Sequence, residues 1–334
     1  DEIGTASDLP IGRTDRQSEG TYRLRERKDA ALFGYAVGPD SWKRYLHPPQ
    51  RRLWRATREA GAVTVEEMSA PPLRAFLGVR ACELAAIKRL DKIFLEGDYI
   101  NGAYAMARRN ALIIAVNCGS PSETCFCSSM ETGPKVDKGY DLALTELIDE
   151  KGHRFLLEAG TQVGQKLIAE INTRPANDDD MAAAHRVTKT ARAQMGRTLR
   201  TEGLKEGLAQ NADHAHWAEI ADRCLACGNC TQVCPTCFCT SIEDHTNLQG
   251  DQAERVQVWD SCFTSQFSEL SGGQVREMTA SRYRQWMTHK LSSWFDQFDT
   301  SGCVGCGRCI AWCPVGIDIT KEAEIIAGAG QALT

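Results

Sequence analysis

The sequence predicts an α/β N-terminal domain followed by a mostly α-helical, cysteine-rich domain. Two continuously apolar segments, separated by segments of helical periodicity, lie in the first half of the chain. Fifteen cysteines are present, and eleven of them follow residue 222. A polar segment at residues 172–180 separates the two parts. We therefore predict an α/β domain over 1–171, a linker with helices over 172–215, and the cysteine-rich domain over 216–334.

Composition excludes several classes of protein. The 334-residue chain is 42% hydrophobic and 25% charged, ordinary values for a globular protein. Its net charge of -5 provides no general basic field for nucleic acid. The longest apolar run, residues 111–116, is too short to cross a bilayer. Because so many reduced thiols favour a reducing compartment, we expect a cytoplasmic protein.

The N-terminal domain has the pattern of a βαβ unit. Its apolar segments are short enough to be buried strands, and buried strands joined by helices favour parallel pairing with a right-handed crossover. The predicted elements are a strand at 75–79, helices at 84–94 and 104–109, strands at 111–116 and 153–158, and a helix at 162–171.

Residues 41–60 are strongly basic, with six lysines and arginines against one acid, Glu59. The pattern favours a solvated amphipathic helix. The alternative is a docking patch for an acidic partner or for a nucleotide phosphate. Neither a Walker-type loop nor a G-x-G-x-x-G motif follows a predicted strand, so the sequence offers no phosphate-binding loop.

The C-terminal domain contains the motif C-x2-C-x2-C-x3-C-P twice. This is the spacing of bacterial ferredoxins that hold two [4Fe–4S] clusters. A zinc site needs only four ligands, usually from two C-x2-C pairs, so two full motifs favour iron–sulfur clusters. Sixty-eight residues separate the two motifs, more than a compact ferredoxin needs. Residues 276–298 within that interval have a helical pattern, so we predict a helical dicluster ferredoxin domain.

The fourth cysteine of each motif precedes a proline, which blocks helix continuation and favours an extended preceding residue. We therefore predict crossed ligation, in which each motif supplies three ligands to one cluster and the fourth ligand to the other. Local ligation, with four ligands from one motif, is the alternative. The predicted ligands are Cys224, Cys227, Cys230 and Cys313 for cluster 1, and Cys303, Cys306, Cys309 and Cys234 for cluster 2.

Four N-terminal cysteines form a candidate third [4Fe–4S] site. Cys82 and Cys118 each follow a predicted parallel strand, and the carboxyl ends of such strands meet at one edge of the sheet. Cys125 and Cys127 lie on the loop after Cys118. Four thiols suffice for a cluster. The alternative is that these cysteines are small buried hydrophobic residues.

Cys237, Cys239 and Cys262 remain. The segment TCFC at 236–239 repeats the segment at 124–127. Because three cysteines have no evident fourth ligand, packing is the favoured interpretation. The alternatives are a further site with a ligand other than cysteine, or thiols hydrogen-bonded to cluster sulfur.

Between residues 35 and 320 the sequence resembles beta subunits of group 3b [NiFe]-hydrogenases, also called sulfhydrogenases. It also resembles their relative among the subunits of anaerobic sulfite reductase. The segments that carry the resemblance are GVRACELAAIKRLDKIFL, NCGSPSETCFCSSM, KGYDLALTEL, CPTCFC, WDSC and GCVGCGRCIAWCPVGI. One departure is Glu83 after Cys82, where relatives often have aspartate.

The resemblance implies an iron–sulfur electron-transfer subunit of a cytoplasmic oxidoreductase complex. Its partners would be the small and large subunits of a [NiFe]-hydrogenase and a flavin-containing NAD(P)H reductase subunit. The chain has no nickel-binding pairs of C-x2-C motifs, so it would not activate hydrogen itself. The alternatives are a component of an anaerobic sulfite reductase-like complex and a reductase with its own flavin or nucleotide site. A nucleic-acid-binding regulator is disfavoured by the negative charge.

Overall fold

Two four-stranded sheets and two separate hairpins organise the chain, which a computed structural model describes over residues 2–67 and 70–328. The strands are β1 (Arg13–Ser18), β2 (Thr21–Glu26), β3 (Gln50–Glu59), β4 (Ala62–Glu67), β5 (Arg74–Val79), β6 (Ala111–Val116), β7 (Leu142–Asp149), β8 (Gly152–Ala159), β9 (Thr240–Thr246), β10 (Gln252–Trp259), β11 (Glu269–Leu270) and β12 (Gly273–Gln274).

Most of the helices lie in the second half of the chain. They are α1 (Lys43–Leu46), α2 (Ala81–Leu95), α3 (Gly102–Arg109), α4 (Gln162–Glu170), α5 (Asp178–Ala193), α6 (Leu204–Gln210), α7 (His216–Arg223), α8 (Asn229–Gln232), α9 (Thr279–Thr288), α10 (Trp294–Phe298), α11 (Arg308–Ala311) and α12 (Ile319–Gly328). A π-helical turn, His289–Ser293, connects α9 to α10.

The first sheet has the strand order β5-β6-β7-β8. β5, β6 and β7 are parallel, and β8 pairs antiparallel with β7. The predicted parallel pairing of the two apolar strands is confirmed. The helix that follows β5, α2, buries Leu84, Ile87 and Leu90 against the sheet, in the core that also contains Phe76. The α/β layout of the N-terminal part therefore follows from its alternation of buried strands and amphipathic helices.

The second sheet, β4-β3-β10-β9, joins distant parts of the chain. The amphipathic helix expected at 41–60 is wrong, because only α1 is helical and β3 occupies residues 50–59. The turn after β3 has Ala60 and Gly61 both at positive φ, 46° and 84°, which matches a tight β-hairpin. Arg51 and Arg55 reach Gln257 and Glu254 on β10. The docking role of this segment stays a prediction.

The mostly helical character of residues 216–334 is not confirmed. The helix expected at 276–298 is present as α9, the π-helical turn and α10, but β9 and β10 precede it and extend the second sheet. Apolar residues at helical spacing can be read from the sequence, whereas the partner of an isolated hairpin cannot. The proposed domain division stays a prediction, and β3 pairs with β10 across it.

A buried ion pair connects the two halves of the chain. Arg308 pairs with Glu83, and both side chains are 2% exposed. The same guanidinium donates to the carbonyl oxygens of Gly38 at 2.7 Å and Asp40 at 3.1 Å. The second oxygen of Glu83 accepts from the Trp42 N–H at 3.2 Å. Both charges are therefore paired and hydrogen-bonded, as buried charges require.

We predict that Glu83→Gln destabilises the cluster-loaded chain by about 3–5 kcal/mol, because it leaves the Arg308 charge buried without its partner. Anaerobic denaturant unfolding would measure the change. Arg13→Met is the matched control, because Arg13 pairs with Glu26 at 3.0 Å on the surface and such pairs contribute at most about 1 kcal/mol. Equal effects of the two substitutions would contradict a structural role for the buried pair.

Candidate metal centres

The fold brings the four N-terminal thiols together at the carboxyl edge of the first sheet. Cys82 is the second residue of α2, directly after β5, and Cys118 follows β6. The loop after Cys118 returns Cys125 and Cys127 to the same edge. Cys82 and Cys127 pack in one buried cluster with Cys306. The parallel β5–β6 pairing produces this convergence, since it places both strand ends on one side.

These thiols lie in an apolar environment. Burial, and next the negative charge of Cys127, raises the pKa of Cys82. Burial likewise raises the pKa of Cys125 to about 12, and Cys118 adds to the shift. Burial, followed by the charges of Cys125 and Cys118, raises the pKa of Cys127. Such thiols ionise readily only beside a strong positive charge, and a metal centre supplies one. The donor set therefore fits an iron–sulfur cluster.

A second group of thiols surrounds a cavity between α7, α8 and α9. Cys224, Cys227, Cys230 and Cys313 line this cavity together with the aromatic side chains of Phe263, Tyr283 and Trp286. Gly228, at a φ of 75°, turns the backbone at the start of α8 between Cys227 and Cys230. Backbone N–H groups of Ala226 and Ile317 lie 3.4 and 3.3 Å from the sulfurs of Cys224 and Cys313. The cavity thus contains thiols from both motifs.

The third group contains the other motif and the fourth cysteine of the first. Burial raises the pKa of Cys309, and the charges of Cys303, Cys306 and Cys234 add to the shift in that order. The Gly305 N–H lies 3.4 Å from the Cys303 sulfur. Cys234, Cys303 and Cys306 are all buried. This grouping is the one that crossed ligation requires, although the ligand assignment itself stays a prediction.

All three groups place thiols around a shared space, and none resembles a site for one ion. Within residues 2–67 and 70–328, no three His, Cys, Asp or Glu side chains converge as the ligands of a single metal ion would. Ligands of a [4Fe–4S] cluster each bind a different iron, so their sulfurs stand farther apart than the ligands of a zinc ion. The arrangement therefore fits clusters.

Backbone contact joins the N-terminal thiols to the third group. The Phe126 N–H donates to the Gly305 carbonyl at 2.8 Å. A Cβ on Gly305 would lie 2.6 Å from the Phe126 backbone, and one on Gly307 would lie 2.4 Å from the Thr124 carbonyl oxygen. Both glycines also have positive φ, 64° and 76°, so no other residue type fits without strain.

Sequence reasoning missed two buried lysines. Lys290 Nζ lies 3.3 Å from the Cys234 sulfur and 3.0 Å from the Thr236 hydroxyl. Lys43 Nζ donates to the Cys237 carbonyl at 2.9 Å. A lysine in a predicted helix is normally a solvated residue, and Lys43 belongs to the basic segment whose pattern favours a solvated surface, so neither gave a signal.

Comparisons with known proteins agree with this geometry. Residues 223–317 match a family described as a 4Fe-4S dicluster domain. Over 252 residues the chain is 34% identical to sulfhydrogenase 2 subunit beta of Pyrococcus furiosus, and the match covers 74% of this chain and 72% of that protein. The chain belongs to the sulfhydrogenase beta-subunit family.

No solved structure matches the chain, so the geometry of this sulfhydrogenase beta-family member is described on its own terms. The dicluster match spans the last two thiol groups and leaves the N-terminal four outside it. Iron–sulfur cofactors are thereby shown for the C-terminal part. In residues 2–67 and 70–328, no helix is long and apolar enough to cross a membrane.

Crossed ligation makes a specific prediction for this sulfhydrogenase beta-family member. When Cys303, Cys306 and Cys309 are replaced by alanine, the chain should still bind cluster 1. In that background, Cys313→Ala should remove about four further irons and Cys234→Ala should remove none.

Local ligation predicts the reverse order, because Cys234 would then complete the first motif. Anaerobic iron analysis and the EPR spectrum of the reduced protein measure the difference between the two matched variants. Contributions from any other cluster cancel in that difference.

Proposed function

We propose that the chain is the electron-transfer subunit of an NAD(P)-linked [NiFe]-hydrogenase complex. It would relay electrons between the small and large hydrogenase subunits and a flavin-containing NAD(P)H reductase subunit, without making or breaking substrate bonds. The 34% identity to a sulfhydrogenase subunit supports hydrogenase rather than sulfite reductase as the complex. The proposed ligands are the twelve cysteines predicted for clusters 1, 2 and 3.

One observation carries this proposal: the three thiol groups follow one another without a gap. Cys306 of the third group packs against Cys82 and Cys127 of the N-terminal group. Cys309 lies near enough to Cys230 of the cavity group for its pKa to be raised, after burial, partly by that neighbour. A continuous series of redox sites is what an electron relay needs, whereas a structural metal has no need of neighbours.

Each [4Fe–4S] cluster accepts and releases one electron at a time. The chain's own groups set how readily this happens. N–H groups of Ala226, Gly305 and Ile317 face ligand sulfurs and favour the more negative, reduced state. Tyr283 and Trp286 are buried and keep water from the cavity. Cys227 is exposed, whereas Cys303 and Cys306 are buried, so the series reaches the surface at the cavity group.

The proposal is tested by purifying the affinity-tagged chain anaerobically with its bound partners. We expect nickel, flavin and iron in the purified complex, with NAD(P)H reducing the iron–sulfur absorption of the tagged chain. Sirohaem in place of nickel would overturn the hydrogenase assignment in favour of a sulfite reductase-like complex. Flavin bound to the isolated chain would instead favour a self-contained reductase.

The third cluster is tested by Cys118→Ala combined with Cys127→Ala. We expect the loss of about four irons per chain, because two of four ligands are removed. Ser120→Ala is the control, since Ser120 lies on the same loop and faces Arg27 rather than a thiol. Iron content equal to that of the control would identify the N-terminal cysteines as packing residues.

A further inference from the structure

The three remaining cysteines meet at one end of the β9–β10 hairpin. Cys237 and Cys239 immediately precede β9, and Cys262 follows β10. The antiparallel register pairs Thr240 with Trp259, so the segments outside the hairpin continue side by side. The Asp260 N–H donates to the Cys239 carbonyl at 2.9 Å. Residues far apart in sequence are thereby placed at a single point of the fold.

The side chains of Cys237 and Cys239 share one side of their segment. The intervening residue, Phe238, packs its ring against Trp294 at 6.0 Å and Phe94 at 6.3 Å between centroids. Neighbouring side chains of an extended segment point in opposite directions, so the two cysteines face away from that aromatic group. Burial, and next the charge of Cys239, raises the pKa of Cys262 to about 12, which places Cys262 beside them.

Two lysines are buried against these thiols. Lys43 and Lys290 are only 3% and 5% exposed. Lys43 Nζ lies 2.9 Å from the Cys237 carbonyl oxygen and 3.6 Å from the centre of the Trp259 ring. Lys290 Nζ lies 3.3 Å from the Cys234 sulfur. Burial opposes the charge of Lys290, but the charges of Cys234, Cys237 and Cys303 outweigh it and raise its pKa.

Buried ammonium groups require a negative partner. Within residues 2–67 and 70–328, neither lysine forms a salt bridge with a carboxylate. The nearby carboxylate of Asp260 is engaged by the Ser261 N–H at 2.7 Å and by the Ser241 hydroxyl. Cys234, as a ligand of cluster 2, would supply one thiolate. One ligand thiolate is a poor match for two ammonium groups, so the site requires a further anion.

We propose that Cys237, Cys239 and Cys262 bind an additional [4Fe–4S] cluster, with Lys43 and Lys290 as its counter-charges. Three thiolates outweigh the positive charge of the oxidised cluster core, so the bound cluster is an anion. Its fourth iron takes a ligand other than cysteine. On taking one electron from a neighbouring cluster it becomes more negative, and the two ammonium groups favour that reduced state. The inference rests on the proposed function, because it assumes a chain loaded with clusters.

The test uses the full chain with Cys239→Ser and Cys262→Ser, two positions that are not predicted ligands of clusters 1 to 3. We expect the loss of about four irons relative to the unaltered chain and one fewer cluster in the Mössbauer and EPR spectra. Ser261→Ala, adjacent to Cys262, is the control for disturbance of the hairpin end. Iron content and spectra equal to those of the control would overturn the additional cluster. An unaltered chain without any clusters would instead refute the proposed function.

A general loss of iron in the cysteine variants is resolved by Lys43→Met, which leaves every cysteine in place. With an anionic cluster beside Lys43, the reduction midpoint potential of one cluster should fall while the others stay unchanged. Without it, all potentials should be unchanged, and removal of an uncompensated buried ammonium group should raise the melting temperature. The second result overturns the proposal whatever the cysteine variants show.

Discussion

The packing of the Thr124–Cys127 backbone against the Gly305–Gly307 backbone is the contact on which the arrangement of the thiols depends. The Phe126 N–H bonds the Gly305 carbonyl, and both glycines leave no room for a Cβ. This approach brings Cys125 to 3.9 Å from the Cys306 carbonyl oxygen and places Cys82, Cys127 and Cys306 in one buried cluster. Without it, the N-terminal thiols would be a separate site instead of part of a series.

The same region concentrates buried charge, and each charge is matched locally. Arg308 follows Cys306 and Gly307 in sequence and pairs with Glu83, the neighbour of Cys82. Glu83 is therefore occupied by an ion pair and by the Trp42 N–H, so it connects the two halves of the chain instead of offering a free ligand. Deprotonated thiols bound to iron complete the charge pattern, which couples cluster binding to folding of the surrounding chain.

How much of this could be read from the sequence differs between the two sheets. The apolar runs at 75–79 and 111–116 carry their own strand signal, and parallel pairing follows from the helices between them. The convergence of Cys82 and Cys118 then follows from topology. The helix prediction for β3 is wrong because its arginines and aromatic residues also suit an amphipathic helix. What decides its structure is the pairing of residues such as Gln50 with Val258, which no local pattern contains.

That distant pairing also explains why a long interval between the two cysteine motifs is compatible with one cluster-binding unit. The entropy cost of closing a loop rises only logarithmically with its length, so the 68 intervening residues add little to it. The interval is used: β9 and β10 extend the sheet that begins with β3 and β4. This extension brings Lys43, just before β3, against Cys237, just before β9. A residue that sequence reasoning assigned to a solvated surface is thereby buried among thiols, and its charge becomes part of their chemistry.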